Sequence, residues 1–209
     1  MSALQPILMI GGVHGDEPEG VHLATKTLGS LMQWSLTDSL VPWILVPILN
    51  PDGYAKRTRV NARGVDLNRN YPSSGWAPMA NAVGQERYYP GPSPASEPEV
   101  QGIVELFDTI PIRLAIHCHS WKPCIVATGP QAQRDGERLA RASGYDLVPE
   151  IGYPTPGSLS QFGWHDRKVP IICIEEQEQM TDFDSIWPRF SPALKDIFMD
   201  SSSRRLDRE

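Results

Sequence analysis

Two kinds of segment alternate along the chain. Short runs that are apolar almost throughout, at 7–12, 43–49, 113–117, 124–128 and 169–175, predict buried strands. Between them, apolar residues recur at helical spacing. Val21, Ala24, Leu28 and Leu31 form a stripe on a helix from Glu17 to about Gln33. Val100, Ile103, Val104 and Phe107 do the same behind Ser96, which reads as an N-cap with Glu97 and Glu99 in the first turn. Helices are also predicted over 131–142, ended by Gly144, over about 158–167, and over about 187–199. Asn50-Pro51-Asp52-Gly53 predicts a turn, because proline presets φ and glycine is free to take positive φ. Residues 58–70 are polar and irregular, and the tail 201–209 is expected to fray.

Apolar strands alternating with helices predict an α/β fold. The expectation is a single domain over 1–209 with a mixed, largely parallel central sheet and helices on both faces. Sites in such sheets lie beyond the carboxyl ends of the strands. His14, Asn50, His117 and Glu175 each stand where a predicted strand ends.

Composition narrows the function. A length of 209 residues suits one domain, and a net charge of −6 argues against nucleic acid as the main partner. The first residues lack a basic region, and their apolar run is too short for a signal peptide or a membrane span. Cytoplasmic residence is therefore expected. Cys118, Cys124 and Cys173 lie in apolar runs and read as reduced core thiols. The 20 prolines and 17 glycines cluster at 70–98 and 149–157, which marks long ordered loops of the kind that carry function.

The candidate chemistry starts in the glycine turn Gly11-Gly12-Val13-His14-Gly15-Asp16-Glu17. An imidazole and a carboxylate three residues apart, at a strand-to-helix turn, can aim at one point, and both are ligand types of a catalytic zinc. A third ligand must come from His22, His117, His119 or His165. His22 lies on a predicted helix surface and His165 at a polar helix end. His117 and His119 follow a strand and point to one face by alternation, so one of them is the expected ligand. Ile171, Cys173 and Glu175 share one face of the last predicted strand, with Glu176 on the other.

Taken in order, His14-x-x-Glu17, Asn50-Pro51-Asp52-Gly53, Val65-Asp66-Leu67-Asn68-Arg69-Asn70, Ile116-His117 and the strand ending at Glu175 resemble the zinc carboxypeptidase family of carboxypeptidase A type. Within it, residues 61–72 and 152–158 look most like the small bacterial murein tripeptide amidases. The resemblance implies one Zn2+ per chain, held by His14, Glu17 and His117, with Asp66 orienting the first histidine and His119 behind the ligands or in the pocket. It implies Glu175 as general base and Arg59, with Arg57 and Arg63 as neighbouring competitors, as the group polarising the scissile carbonyl. Asn68 and Arg69 would grip the substrate carboxylate, and Tyr153 would close over it. The expected partner is a small peptide with a free carboxylate. The implied reaction is amide hydrolysis beside that carboxylate, in its narrow form at the γ-D-glutamyl–diaminopimelate bond of a murein peptide. Glu176, following the base, departs from the family's usual apolar residue. Two rival readings stand beside this one. Gly-x-His-Gly-x-Glu also resembles succinylglutamate desuccinylases and aspartoacylases, which remove acyl groups, and a catalytically silent peptide-binding domain would show the same outline.

Overall fold

The computed structural model describes residues 4–79 and 86–200. The strands are β1 (Ile7–Ile10), β2 (Trp43–Val46), β3 (Leu114–Trp121), β4 (Cys124–Thr128), β5 (Asp146–Val148) and β6 (Ile171–Gln177). They form one six-stranded sheet in the order β2-β1-β3-β6-β4-β5. β2, β1, β3 and β6 are parallel, β4 runs antiparallel to β6, and β5 pairs parallel with β4. The α/β class with a mixed, mostly parallel sheet is thus as expected.

The helices are α1 (Pro18–Trp34), α2 (Pro51–Lys56), α3 (Pro98–Thr109), α4 (Gln133–Ser143) and α5 (Ile186–Met199). Because side chains alternate along each strand, the sheet builds two cores. On one face Met9, Ile116, Cys118, Ile172 and Ile174 pack with Leu23 of α1, Leu139 of α4 and Phe190 of α5. On the other, Leu8, Ile10, Ala115 and Ile171 pack with Val100, Ile103 and Phe107 of α3 and with Phe162. Each such side chain contributes roughly 1.5–3 kcal/mol by leaving water. The second face is only half covered by apolar residues. Towards the carboxyl edge of β3 and β6 it turns polar, and the site lies there.

Several elements differ from expectation. β3 continues four residues past His117, because the polar run His117-Cys118-His119-Ser120 is held in register by β6, from Ala115↔Ile171 to Trp121↔Gln177. Asn50-Pro51-Asp52-Gly53 opens α2 instead of ending as a turn. The Asn50 Oδ1 accepts the Gly53 N–H at 2.9 Å and Pro51 occupies the first turn. Ser96 does not cap α3: Glu97 holds the capping position, and the Ser96 hydroxyl donates to the Glu97 carboxylate at 2.7 Å. The helix expected at 158–167 is a π-helix over Gln161–Asp166. β5, a three-residue edge strand, carries too little pattern to be predicted. Gly144 does end α4, in the left-handed conformation. The tail 201–209 lies outside the described residues. Among the described residues no helix is long and apolar enough to cross a membrane.

Candidate metal centre and active-site cleft

After β1 the chain climbs past the strand end through Gly11, Gly12 and Val13. Gly12 has φ of +60°, and a Cβ on Gly15 would stand 1.9 Å from the Gly53 carbonyl carbon. Only glycines let this turn pack so tightly against the start of α2. The turn delivers His14 and Glu17 above the carboxyl end of β1.

Three side chains converge there. His14 Nδ1 lies 2.7 Å from Glu17 Oε1, and His119 Nδ1 lies 3.0 Å from His14 Nδ1 and 2.8 Å from Glu17 Oε2. The Ser120 N–H also donates to Glu17 Oε2 at 3.3 Å. His117, the third ligand implied by the family resemblance, does not join them. Ile10, the last residue of β1, is level with His117 in the sheet. The three residues after it carry His14 beyond that level, and His119 stands two residues, roughly 6.5 Å, further along β3. His117 lies one layer below: its Nδ1 faces His119 Nε2 at 2.9 Å, and its Nε2 faces Ser160 Oγ at 3.3 Å.

The donor set fits a metal. Asp66 accepts from His14 Nε2 at 3.1 Å, from Arg59 Nε at 2.9 Å and from the Asn68 N–H at 2.9 Å. An acceptor carboxylate fixes the proton on His14 Nε2 and leaves Nδ1 for a cation. That Nδ1 then faces a carboxylate oxygen and a second ring nitrogen, an arrangement that repels unless a positive charge sits between them. Burial alone would raise the Glu17 pKa, but His14 and His119 hold it far below the carboxylate range. Burial and Arg59 would depress His14, yet Glu17 and Asp66 outweigh them and raise it. Burial, then the neighbouring His119 and His14, push His117 well below its ordinary value. Two nitrogens and a carboxylate are the ligands a catalytic zinc takes.

A cleft of about 630 Å³ opens over this centre. Glu175 lines it from β6, side by side with His119 in the sheet register. Burial and the charge of Glu17 push its pKa up to about 8. Arg59 reaches the centre: its Nη1 donates to Glu17 Oε1 at 3.2 Å. Its competitors do not. Arg57 is an exposed left-handed residue ending α2, and Arg63 is exposed and pairs with Glu97. Asn68 and Arg69 line the cleft from a tight helical turn, Leu67–Arg69, held by Asp66 and by the Leu159 N–H on Asn68 Oδ1 at 3.0 Å. Tyr153 is 45% exposed at the rim and meets the edge of Trp121.

Glu176 faces away from the cleft, behind the sheet, where Arg189 and Tyr145 bind it. Its carboxylate is thus out of reach of a substrate in the cleft, on the face that strand alternation predicts. Two cleft residues have no warning in the sequence pattern. Tyr88, inside the Pro/Gly-rich stretch, spreads its ring 5.1 Å from the Arg59 guanidinium and 5.8 Å from that of Arg69. Ser160 precedes the π-helix and faces His117. His119 did carry a signal, its alternation with His117, but strand alternation alone treats the two as equals.

Two imidazoles and a carboxylate converging beside a second buried carboxylate, at the carboxyl edge of a mixed sheet, define a metal-dependent hydrolase. The chain belongs to the zinc carboxypeptidase family, whose model matches residues 2–161. It is similar to murein peptide amidase A of Escherichia coli strain K12, with 36% identity over 175 residues, covering 80% of this chain and 68% of that protein. The crystal structure of the murein-tripeptide amidase of Escherichia coli O157 matches with a TM-score of 0.76 and 29% identity, over 99% of this chain and 84% of that one. An aspartoacylase family protein of Mesorhizobium loti shares the fold alone, with a TM-score of 0.60 at 18% identity, over 93% of this chain and 57% of that one.

Proposed function

We propose that this chain is a zinc-dependent peptidase or amidase that hydrolyses an amide bond next to a free carboxylate, with murein peptides cut at the γ-D-glutamyl–diaminopimelate bond as its substrates. The observation that carries the reading is the convergence of His14, Glu17 and His119 beside Glu175, its register partner across β3 and β6. One zinc per chain would be held by His14 Nδ1, Glu17 and His119 Nδ1. Bound there, the ion would supply Lewis acidity for polarising a water molecule and the scissile carbonyl.

The chain's own residues supply the rest. Glu175 takes the water's proton and passes it to the leaving amine, a task suited to a carboxylate whose pKa burial has raised to about 8. Arg59 meets the charge that develops on the carbonyl oxygen. Asn68 and Arg69 hold the terminal carboxylate, for which the planar guanidinium is suited. Tyr153, on an exposed loop, folds over the bound peptide and excludes water. Asn68, Arg69 and Tyr153 lining the same cleft favour a peptide over an acylated amino acid, and the convergent ligands favour an enzyme over a silent binding domain. Cytoplasmic residence belongs to the same reading, with Cys118, Cys124 and Cys173 all free thiols.

Incubation of the zinc-loaded protein with the murein tripeptide, read by mass spectrometry, tests the substrate. Free diaminopimelate is expected. Cleavage of simple C-terminal peptides without it would discard the murein reading. Release of succinate or acetate from acylated amino acids, with no peptide cut, would replace the peptidase by a deacylase. Metal analysis is expected to find close to one zinc per chain, lost in His14→Ala.

A further inference from the structure

Behind the metal centre runs a row of three side chains: His119, His117 and Ser160. His119 Nε2 and His117 Nδ1 are 2.9 Å apart, their rings at 89°, and His117 Nε2 is 3.3 Å from Ser160 Oγ. His117 is buried, beside Cys173 in the sheet register, and both residues line the cleft. In a hydrogen bond between two imidazoles one nitrogen must donate and the other accept. The row therefore has two proton orders, and both hold the same number of protons.

In the first order His119 Nε2–H donates to His117 Nδ1, and His117 Nε2–H donates to Ser160 Oγ. His119 Nδ1 is then bare and faces His14 Nδ1 and Glu17. In the second, the Ser160 hydroxyl donates to His117 Nε2, and His117 Nδ1–H donates to His119 Nε2. His119 Nδ1 then carries a proton and gives it to Glu17 Oε2, 2.8 Å away. Only the first order offers His119 to a metal. The contrast with His14 is instructive. Its Nε2 is backed by Asp66, a carboxylate that only accepts, so its tautomer is set with or without metal. His119 is backed by a neutral ring that can do either.

We propose that His117 is a positioning residue for the metal: its Nδ1 accepts a hydrogen bond from His119 Nε2–H when the site is loaded, and its Nδ1–H donates one to the bare His119 Nε2 when the metal leaves, with Ser160 completing the row. The inference rests on His119 being the third ligand, as in the proposed function. It gives His117 a role one layer below the one the family resemblance implied, and it joins the cleft wall, through Ser160, to the strength of metal binding.

Zinc affinity, measured by chelator competition on the full chain, tests this without reference to turnover. His117→Phe removes the acceptor and is expected to weaken zinc binding roughly 10–100-fold. His117→Asn, whose amide oxygen takes the place of Nδ1, is expected to recover most of the loss, a rescue that a purely space-filling role would not give. Long-range nitrogen-15 spectra of the zinc-loaded protein are expected to show both His119 and His117 protonated at Nε2. Wild-type zinc affinity in a His117→Phe variant whose chelated form unfolds at the wild-type temperature would overturn the inference. So would His117 protonated at Nδ1 in the loaded protein. Loss of zinc in both His117 variants together with its retention in His119→Ala would make His117 the ligand itself, which sinks this inference and leaves the zinc hydrolase standing. A wild-type chain that binds no zinc would sink both.

Discussion

Glu175 and Glu176 are neighbours on β6, both buried, and the protein treats them in opposite ways. Glu176 points behind the sheet. Arg189 Nη1 donates to its two oxygens at 2.7 and 2.9 Å, and Tyr145 donates a further hydrogen bond. Glu175 points into the cleft. Among the described residues its side-chain hydrogen-bond partner is the Cys173 thiol at 3.4 Å, and the charge of Glu17 opposes its own. A buried carboxylate without a counter-ion is costly, so its neighbour shows what a structural carboxylate looks like when the fold satisfies it. The difference teaches that Glu175 is kept proton-hungry, and a general base near zinc needs that property. Glu19 repeats the structural pattern: it is buried, and it accepts from the Ser120 hydroxyl at 2.7 Å and from the Met180 N–H at 3.0 Å.

The sharpest way to break the comparison is to exchange the roles. Glu175→Gln is expected to lower kcat/KM by about 10²–10⁴-fold, the contribution of a positioned base, while zinc content holds and the fold is no less stable. Full activity in that variant would move the base elsewhere. On the other side of the sheet, Arg189→Met strands a buried carboxylate. Breaking such a pair costs roughly 3–5 kcal/mol, and the lower end applies here because the Arg189 side chain is 24% exposed. Chemical denaturation is expected to show that loss, with kcat/KM per folded molecule unchanged. A stable Arg189→Met protein with impaired turnover would mean that the two faces are not separate.

Much of this division is legible in the amino-acid order. Runs such as Ile7–Ile10 and Cys124–Thr128 are apolar because both sides of those strands are covered, and the period-two rule puts Glu175 and Glu176 on opposite faces before any coordinates exist. His14-x-x-Glu17 is visible because one turn supplies both candidate ligands. The proposed third ligand, His119, is not visible in this way. His117 and His119 share a face, and what separates them is how far each stands along β3 relative to the end of β1, a matter of register between strands a hundred residues apart. A polar run also looks like the end of a strand, although β6 holds it as strand through Trp121. Tyr88 is hidden for a related reason: the stretch around it has no period, so nothing local predicts that its ring covers two arginines. α2 is short enough that its N-cap asparagine and proline pass for a turn.

A further effect concerns pH and the chelated protein. Glu175 has its folded-state pKa raised from 4.5 to about 8. The folded state therefore binds a proton more tightly than the unfolded chain does. Stability linked to this group is fully present below pH 4.5 and is lost as pH rises through about 8, with a slope of at most about 1.4 kcal/mol per pH unit. Glu17 and Asp66 have lowered values and act in the opposite sense, at pH below the usual carboxylate range, so the two windows do not overlap. Glu175→Gln cannot carry the charge and escapes the loss. Unfolding of the chelated wild type and of Glu175→Gln, compared across pH 4 to 9, is expected to give matching stabilities at the acid end and a variant that is increasingly the more stable towards pH 8. A flat difference between wild type and Glu175→Gln would mean that Glu175 ionises in the fold as it does in water. The contrast with Glu176 would then be one of contacts alone, without the shift in proton affinity that the proposed chemistry uses.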